Sequence, residues 1–413
     1  MAAASLELTI ERMGHGGVGI GTADDGRVVF VGSTYPGDRV QVQVTKEKKS
    51  FIAGEIAEII APSDYRTSPR CPAAAAGAGC CDFSTLDYAQ EAELKRSVLL
   101  DQLQRIGKLD TTQLPEVATV DLAPQKGWRT RVRFGVDDNG RAGLRKKNSH
   151  ELVTDHACIQ LVDGLADNIV GTDARRFRPG SEVIVAMDST GTRHVVESRK
   201  SGRGKRMEKI EKVVEGSGTV TETVDGKTFH FPVTAFWQAH IGAPQQYSRM
   251  ITDWLSGTQR TDGGTGWDLY GGVGLFIPAI ARALQPQDPS ANVIHSVDTS
   301  AAAMEQTQPA LTGLGVEMHK MQVEKAVAQL DSPDAVVLDP PRKGAGARVI
   351  EQVAQANPQR IVHIGCDPAT CARDLRSWVD NGYRVEKLTL VNAFPGTHHF
   401  EVLALLEKPI SSE

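Results

Sequence analysis

Hydrophobic and polar positions alternate through the first sixty residues. The runs LELTIERM, GVGIGT, RVVFVG, RVQVQVTKEKK and FIAGEIAEII are separated by ADDG and YPGD. Alternation broken by Gly, Asp and Pro at this interval predicts a small five-strand, OB-like barrel over residues 1–62. The following stretch, APSDYRTSPRCPAAAAGAGCCD, is dense in Pro, Ala and Gly and reads as a domain boundary. From Tyr88 to about Leu109 the spacing of Ala92, Leu94, Val98, Leu99, Leu103 and Ile106 predicts an amphipathic helix. Residues 125–235 return to strands with DDNG, STGT and DG as turns, giving a strand-rich central domain over 63–235. Between Trp128 and Val136 the residues Trp128, Val132, Phe134 and Val136 share one face. Arg129, Arg131 and Arg133 share the other.

From about residue 245 the period changes again. GWDLY, a helix from Val273 to Leu284, NVIHSVD, a helix from Ser300, AVVLDPP, a helix near Ala347 to Ala356, RIVHIGC and a helix from Ala369 to Asp380 follow one another. Apolar strands alternating with helices predict a parallel, doubly wound sheet in a third domain over 236–413. YRVEKLTLVNAF and HFEVLALLEK then make two strands with no helix between them, an antiparallel finish to that sheet. No internal repeat interrupts this order.

Composition narrows the function classes. A chain of 413 residues exceeds what one core serves, which agrees with two or three domains. Its net charge of -5 and pI of about 6.2 argue against coating nucleic acid by bulk charge. Any such contact must use local patches, for which Lys126, Arg129, Arg131, Arg133, Arg141, Arg145, Lys146, Lys147 and the run RKSGRGKRMEK are candidates. A solvated basic face has the same composition. The N-terminal residues lack a basic-then-apolar leader, and no window approaches a membrane span. A cytoplasmic, monomeric protein without membrane contact is expected. Six cysteines are too sparse for a disulfide framework.

Candidate chemistry clusters in the C-terminal third. DLYGGVGLF ends a strand, crosses a Gly-rich turn and enters a helix, and Asp298 ends the next strand, placed to accept from ribose hydroxyls. The third glycine of a dinucleotide fingerprint is absent, which favours S-adenosylmethionine, a cofactor with no pyrophosphate. VVLDPPRKG puts Asp339 at a strand end, with prolines turning the chain outward. Amino-methylating enzymes usually carry an aromatic residue after Pro-Pro, where this chain has Arg342. Cys366 lies between an apolar run and an Asp-Pro turn, and taken alone it would read as a core thiol. Cys371, one turn into the next helix, reads as packing. His363, Cys366 and Cys371 lack a fourth ligand, so no metal site is expected there.

The motifs FWQAH, DLYGGVG, SVD, LDPPRKG, IGCDPATCARD and HHFE, in this order and spacing, resemble the RNA uracil-5-methyltransferase family. The N-terminal barrel resembles that family's TRAM domain. The resemblance implies an α/β protein with a C-terminal Rossmann-like class I methyltransferase domain, S-adenosylmethionine as cofactor and RNA as partner. It implies Cys366 as nucleophile toward uracil C6, Glu401 as base and Asp339 as an orienting group. Gln238, Tyr270, Leu275, Asp298, Gln322 and Asp339 match cofactor-contacting positions. Ribosomal RNA is favoured over tRNA as substrate.

Asp367 departs from the family's usual Asn, and a carboxylate beside the nucleophile would raise its pKa. Some members carry an iron-sulfur cluster on C-x5-C-x2-C plus a distant cysteine. Cys71, Cys80, Cys81 and Cys158 occupy that region with altered spacing, so a cluster is possible but a lost site is favoured. Two other readings share these residues: a nucleobase N-methyltransferase working through Asp339-Pro340-Pro341, and a catalytically silent RNA-binding protein.

Overall fold

The computed structural model describes residues 5–203, 206–258, 263–285, 287–300 and 308–409, with only the backbone described for 201–203 and 206–208. The N-terminal strands are β1 (Ser5–Thr9), β2 (Arg12–Gly14), β3 (Val18–Thr22), β4 (Val28–Gly32), β5 (Arg39–Glu47) and β6 (Phe51–Ala61). β1 pairs with β5, and its continuation β2 pairs with β3, so one bent strand supplies both ends of the sheet β1-β5-β6-β4-β3-β2. The five expected runs thus form the barrel, the first as a broken strand. Alternation buries Leu8, Ile10, Val29, Val31, Val40, Val42 and Ile52 inside it. Asp38, fully buried, accepts from Arg66 twice at 2.8 Å and from the backbone of Tyr35 and Ser63, which ties the barrel to the outgoing chain. A buried carboxylate is tolerated when paired in this way.

After a loop with one helical turn at Pro72–Ala75, helix α1 spans Tyr88–Arg105, capped by Asp87. It ends earlier than the expected Leu109. Strand β7 (Val117–Asp121) follows, within the segment that the alternation assigns to the central region. It pairs in parallel with a strand 271 residues later. The central strands are β8 (Arg131–Val136), β9 (Ala142–Arg145), β10 (Leu152–Val153), β11 (Glu182–Met187), β12 (Arg193–Arg203) and β13 (Arg206–Glu215), in the order β10-β9-β8-β11-β12-β13. A hairpin, β14 (Thr219–Val224) and β15 (Lys227–Pro232), adjoins them.

The remaining strands are β16 (Thr265–Leu269), β17 (Val293–Asp298), β18 (Gly315–Lys320), β19 (Ala335–Leu338), β20 (Arg360–Gly365), β21 (Arg384–Asn392) and β22 (Glu401–Glu407). They form the sheet β18-β17-β16-β19-β20-β22-β21-β7, in which β22 runs antiparallel to both neighbours and every other pair is parallel. Its helices are α2 (Ala243–Leu255), α3 (Ile277–Leu284), α4 (Ala347–Gln355) and α5 (Pro368–Asp380). Apolar layers cover both faces, one including Ile251, Ile280, Val337 and Val362, the other Leu99, Val336, Ile361 and Trp378.

Helix α2 was not expected from the pattern. α3 begins at Ile277 rather than Val273, because the Gly-rich turn, closed by a Gly274 N–H bond to Gly271 O, extends through those residues. The helix expected from Ser300 lies largely outside the described residues.

Candidate active site

Five acidic or thiol side chains reach one end of the sheet. Asp268 ends in β16, Asp298 closes β17, Asp339 follows β19 and Cys366 follows β20. Glu401 opens β22, and antiparallel register, with Gly365 opposite Val402, puts it beside Cys366. The chain reverses its sheet order around β16 and β19, the point where ligands bind in open α/β sheets. There a cavity of about 1060 Å3 is bordered by Gln238, Tyr270, Asp298, Asp339, Cys366 and Glu401.

One half of the cavity is made of backbone. Tyr270, Gly272 and Gly274 adopt φ of 64°, 56° and 84°, which folds the turn tightly, and its N–H groups are tied to Val297, Asp298 and Gly271. Gly271 is required for a different reason. A Cβ there would meet Asp268 Oδ2 at 2.2 Å and Ser296 Oγ at 2.5 Å. Asp298 accepts from the N–H of Gly272 at 3.1 Å and of Ser300 at 2.6 Å, bracing the loop. Asp268 accepts from Ser296 Oγ at 3.1 Å, has one unpartnered oxygen and is pushed up by burial to about 7.

Leu275 and Gln322 are not brought to this cavity. Leu275 is buried in the apolar layer beneath the turn, and Gln322 borders a separate hollow with Glu324, Lys325 and Arg348.

The other half is made of side chains. Gln238 Nε2 donates to Asp339 Oδ2 at 3.2 Å. Asp339 is raised by burial to about 7. Burial, reinforced by Glu401 and Asp339 and opposed by Arg342, pushes the Cys366 thiol up to about 12. Glu401 is buried, with one oxygen unpartnered, and burial followed by the Asp339 charge holds its carboxyl well above the usual range. Buried like charges cannot all ionise, so the two carboxyls hold protons above the usual carboxylate range.

Asp367 is turned away from this cluster. It caps α5, accepting from the N–H of Ala369 at 3.1 Å and of Thr370 at 2.9 Å, and pairs with His15 of the barrel at 3.2 Å. Burial would raise its carboxyl, but His15 and Thr370 outweigh that and bring it to about 2. The groups that raise Cys366 are its own burial, Glu401 and Asp339.

Sequence reasoning did not find Tyr247, whose hydroxyl is fully buried without a partner and whose surroundings include Glu401, Asp339 and Cys366. A buried aromatic on an amphipathic helix reads as core, and no sequence signal separates it. The reach of His15 from the barrel was equally invisible.

The arginine row on β8 does not form a free cationic face. Arg129 Nε donates to Arg131 O, Arg131 donates to Ala235 O at 3.1 Å and lies over Phe231, and Arg133 pairs with Glu182 at 2.6 Å. Arg129 and Arg131 are turned into internal contacts, whereas Arg133 makes its ion pair at the surface. Arg129, Arg145, Lys146 and Lys147 nevertheless border the cavity mouth. The side chains of 201–208 in the second basic run lie outside the described residues.

Cys71, Cys80, Cys81 and Cys158 converge, with all four Sγ atoms within 4.8 Å of one another. The adjacent pair reaches one centre because Cys80 ends a turn, a geometry that spacing alone disfavoured. The donor set fits a four-thiolate centre.

A doubly wound sheet with an antiparallel finish, a glycine turn facing a strand-end carboxylate and a Pro-Pro loop over the same cavity define a class I methyltransferase. The chain belongs to the S-adenosylmethionine-dependent RNA (uracil-5-)-methyltransferase family. The tRNA (Uracil-5-)-methyltransferase family profile matches residues 319–409, which include Asp339, Cys366 and Glu401, and the TRAM domain profile matches residues 4–57. An uncharacterized RNA methyltransferase of Corynebacterium glutamicum is 50% identical over 97% of this chain and 96% of its own. Another, of Streptomyces coelicolor, is 32% identical over 97% and 92%. The fold is similar to that of Pyrococcus abyssi tRNA (uracil-54, C5)-methyltransferase, with a TM-score of 0.70 and 18% identity over 97% of this chain and 100% of that one.

Proposed function

We propose that the protein methylates C5 of a uridine in RNA by transient attachment of the base to Cys366. The observation that carries this reading is the single cavity shared by Cys366, Glu401 and Asp339 with the glycine turn and Asp298. Bound S-adenosylmethionine supplies an electrophilic methyl group. Uracil C5 is too weak a nucleophile to take it unaided. Cys366 gives its proton to the neighbouring carboxylate cluster, and its sulfur bonds to C6, moving the ring electrons toward C5. C5 then takes the methyl group as the methyl–sulfur bond of the sulfonium breaks, leaving S-adenosylhomocysteine. Glu401 removes the C5 proton, the C5–C6 double bond re-forms and the Cys366–C6 bond breaks. General-base help of this kind is typically worth about 10²–10⁴-fold. Asp339, held by Gln238, orients the base edge or the cofactor amine, and Tyr270 and Asp298 hold the cofactor.

Arg129, Arg145, Lys146 and Lys147 at the mouth suit phosphates flanking a base turned out of its stack. Cys71, Cys80, Cys81 and Cys158 would hold an iron-sulfur cluster of the kind some family members carry, joining the 71–81 loop to the segment that bears Cys158. Ribosomal RNA is the proposed substrate, on the strength of the barrel. Mapping 5-methyluridine in total RNA with and without the gene decides between it and tRNA.

RNA carrying tritium at uridine C5 tests the reaction. C5 methylation releases tritium to water with each methyl transferred, and Cys366→Ala stops both. Methyl transfer that retains the tritium, or that survives Cys366→Ala, would replace this reading with N-methylation through Asp339.

A further inference from the structure

Residues from three parts of the chain line up at the reaction end of the cavity. Asp82 follows Cys81 directly in the thiol-bearing loop. Its carboxylate accepts the backbone N–H of His398 at 3.1 Å and the Nδ1–H of the same residue. The His398 ring lies against that of His399, with centroids 3.9 Å apart. His399 Nε2 is 3.5 Å from a guanidinium nitrogen of Arg342. A guanidinium only donates, so this imidazole nitrogen accepts and the ring is neutral. Burial, with the adjacent His398 and Arg342 charges, accordingly pushes His399 down to about 3.

The loop between β21 and β22 is fixed from the same side. The Phe83 N–H donates to Gly396 O at 3.1 Å, and the Glu91 carboxylate accepts from the Gly396 N–H at 2.9 and 3.0 Å. The barrel closes over the pair, since a Cβ at Gly17 would meet His398 Cβ at 2.7 Å. Among the described residues Arg342 makes no ion pair, and its exposed side chain borders the cavity with Cys366 and Glu401.

We propose that Asp82 is a positioning residue for the reaction: through His398 and His399 it holds the Arg342 guanidinium where that cation favours the Cys366 thiolate and the ionised Glu401 carboxylate. The proposal rests on the reading of Cys366 as nucleophile. An arginine side chain left unheld samples many rotamers, and its field at the thiol falls with distance. Asp82 acts at two removes and touches neither substrate nor cofactor.

The test is alkylation of Cys366 by iodoacetamide in the full-length protein, followed against pH by peptide mass spectrometry. Asp82→Ala raises the alkylation midpoint of Cys366, as Arg342→Ala does, and Asp82→Asn, which still accepts from His398, falls between. Asp82→Ala lowers kcat for methylation by about 10-fold with KM for RNA within about twofold. Adding it to Arg342→Ala costs no more than Arg342→Ala alone. An unmoved midpoint in a folded Asp82→Ala protein overturns the proposal. So does a loss of activity that tracks a lowered melting temperature while the midpoint stays put. Alkylation needs no turnover, so it still reports the placement of Arg342 if methylation by Cys366→Ala shows that the thiol is not the nucleophile.

Discussion

The two halves of the cavity are built by different means. The cofactor half comes from one stretch of chain, β16, its turn and the end of β17, and its specificity lies in backbone conformation. The reaction half takes Cys366 from the end of β20, Glu401 from the start of β22 and Arg342 from the Pro-Pro loop, and is flanked by His15 of the barrel, which pairs with Asp367, and by Asp82 of the cysteine loop. A site made of local turn geometry tolerates separation of the domains. One made of charges held across three domains does not.

Replacing Cys366, the proposed nucleophile, has the largest expected effect. Cys366→Ala lowers methyl transfer by at least about 10⁴-fold while S-adenosylhomocysteine binding, measured by calorimetry, stays within about threefold, because the halves are separately built. Gly271→Ala does the reverse. Its Cβ has no room between Asp268 and Ser296, and overpacking of about 1–3 kcal/mol weakens cofactor binding by about 10–100-fold. Cys366 in that variant still alkylates with the wild-type pH profile.

Asp339→Asn separates function from stability. The folded Asp339 carboxyl titrates at about 7, above its unfolded value, so between about pH 4 and 7 the folded state binds the extra proton. Its contribution therefore falls as pH rises through that window. Asp339→Asn loses activity yet melts at least about 2 °C higher than wild type at pH 8, and the difference closes at pH 4.

Asp367→Asn has the smallest effect. The folded Asp367 carboxyl sits at about 2, below its unfolded value, so its stabilisation is present above about pH 4 and is lost as pH falls through 2. The variant costs about 1 kcal/mol at pH 7, read by urea titration, with kcat within about threefold. Half-exposed partners and an Asn that can still cap α5 keep the cost small.

How much was legible follows the same division. The barrel runs, the alternating strands and helices, the glycine turn, Asp298 and Asp339 lie in short motifs whose spacing carries their meaning, whereas Cys366 and Glu401 stood out only through the resemblance of their motifs to a family. Contacts across long sequence separations do not. The parallel pairing of β7 with β21 depends on an edge left open 271 residues later, and five residues of moderate alternation cannot announce it. The arginines of β8 alternate as expected, but the pattern cannot say that Ala235, Phe231 and Glu182 consume them. Spacing argued against the four thiols meeting, because it does not register the turn that aims Cys80 and Cys81 inward. Asp367 looked adverse to the nucleophile until His15 and the start of α5 showed where its charge goes.

Covalent attachment of the base to Cys366 is tested most directly with RNA in which 5-fluorouridine replaces the target uridine. Fluorine at C5 leaves no proton for Glu401 to remove, so the adduct persists. Mass spectrometry after incubation with S-adenosylmethionine is expected to find methylated 5-fluorouridine RNA joined to the peptide that contains Cys366. Absence of that adduct, with methylation of ordinary RNA proceeding under the same conditions, would contradict the account.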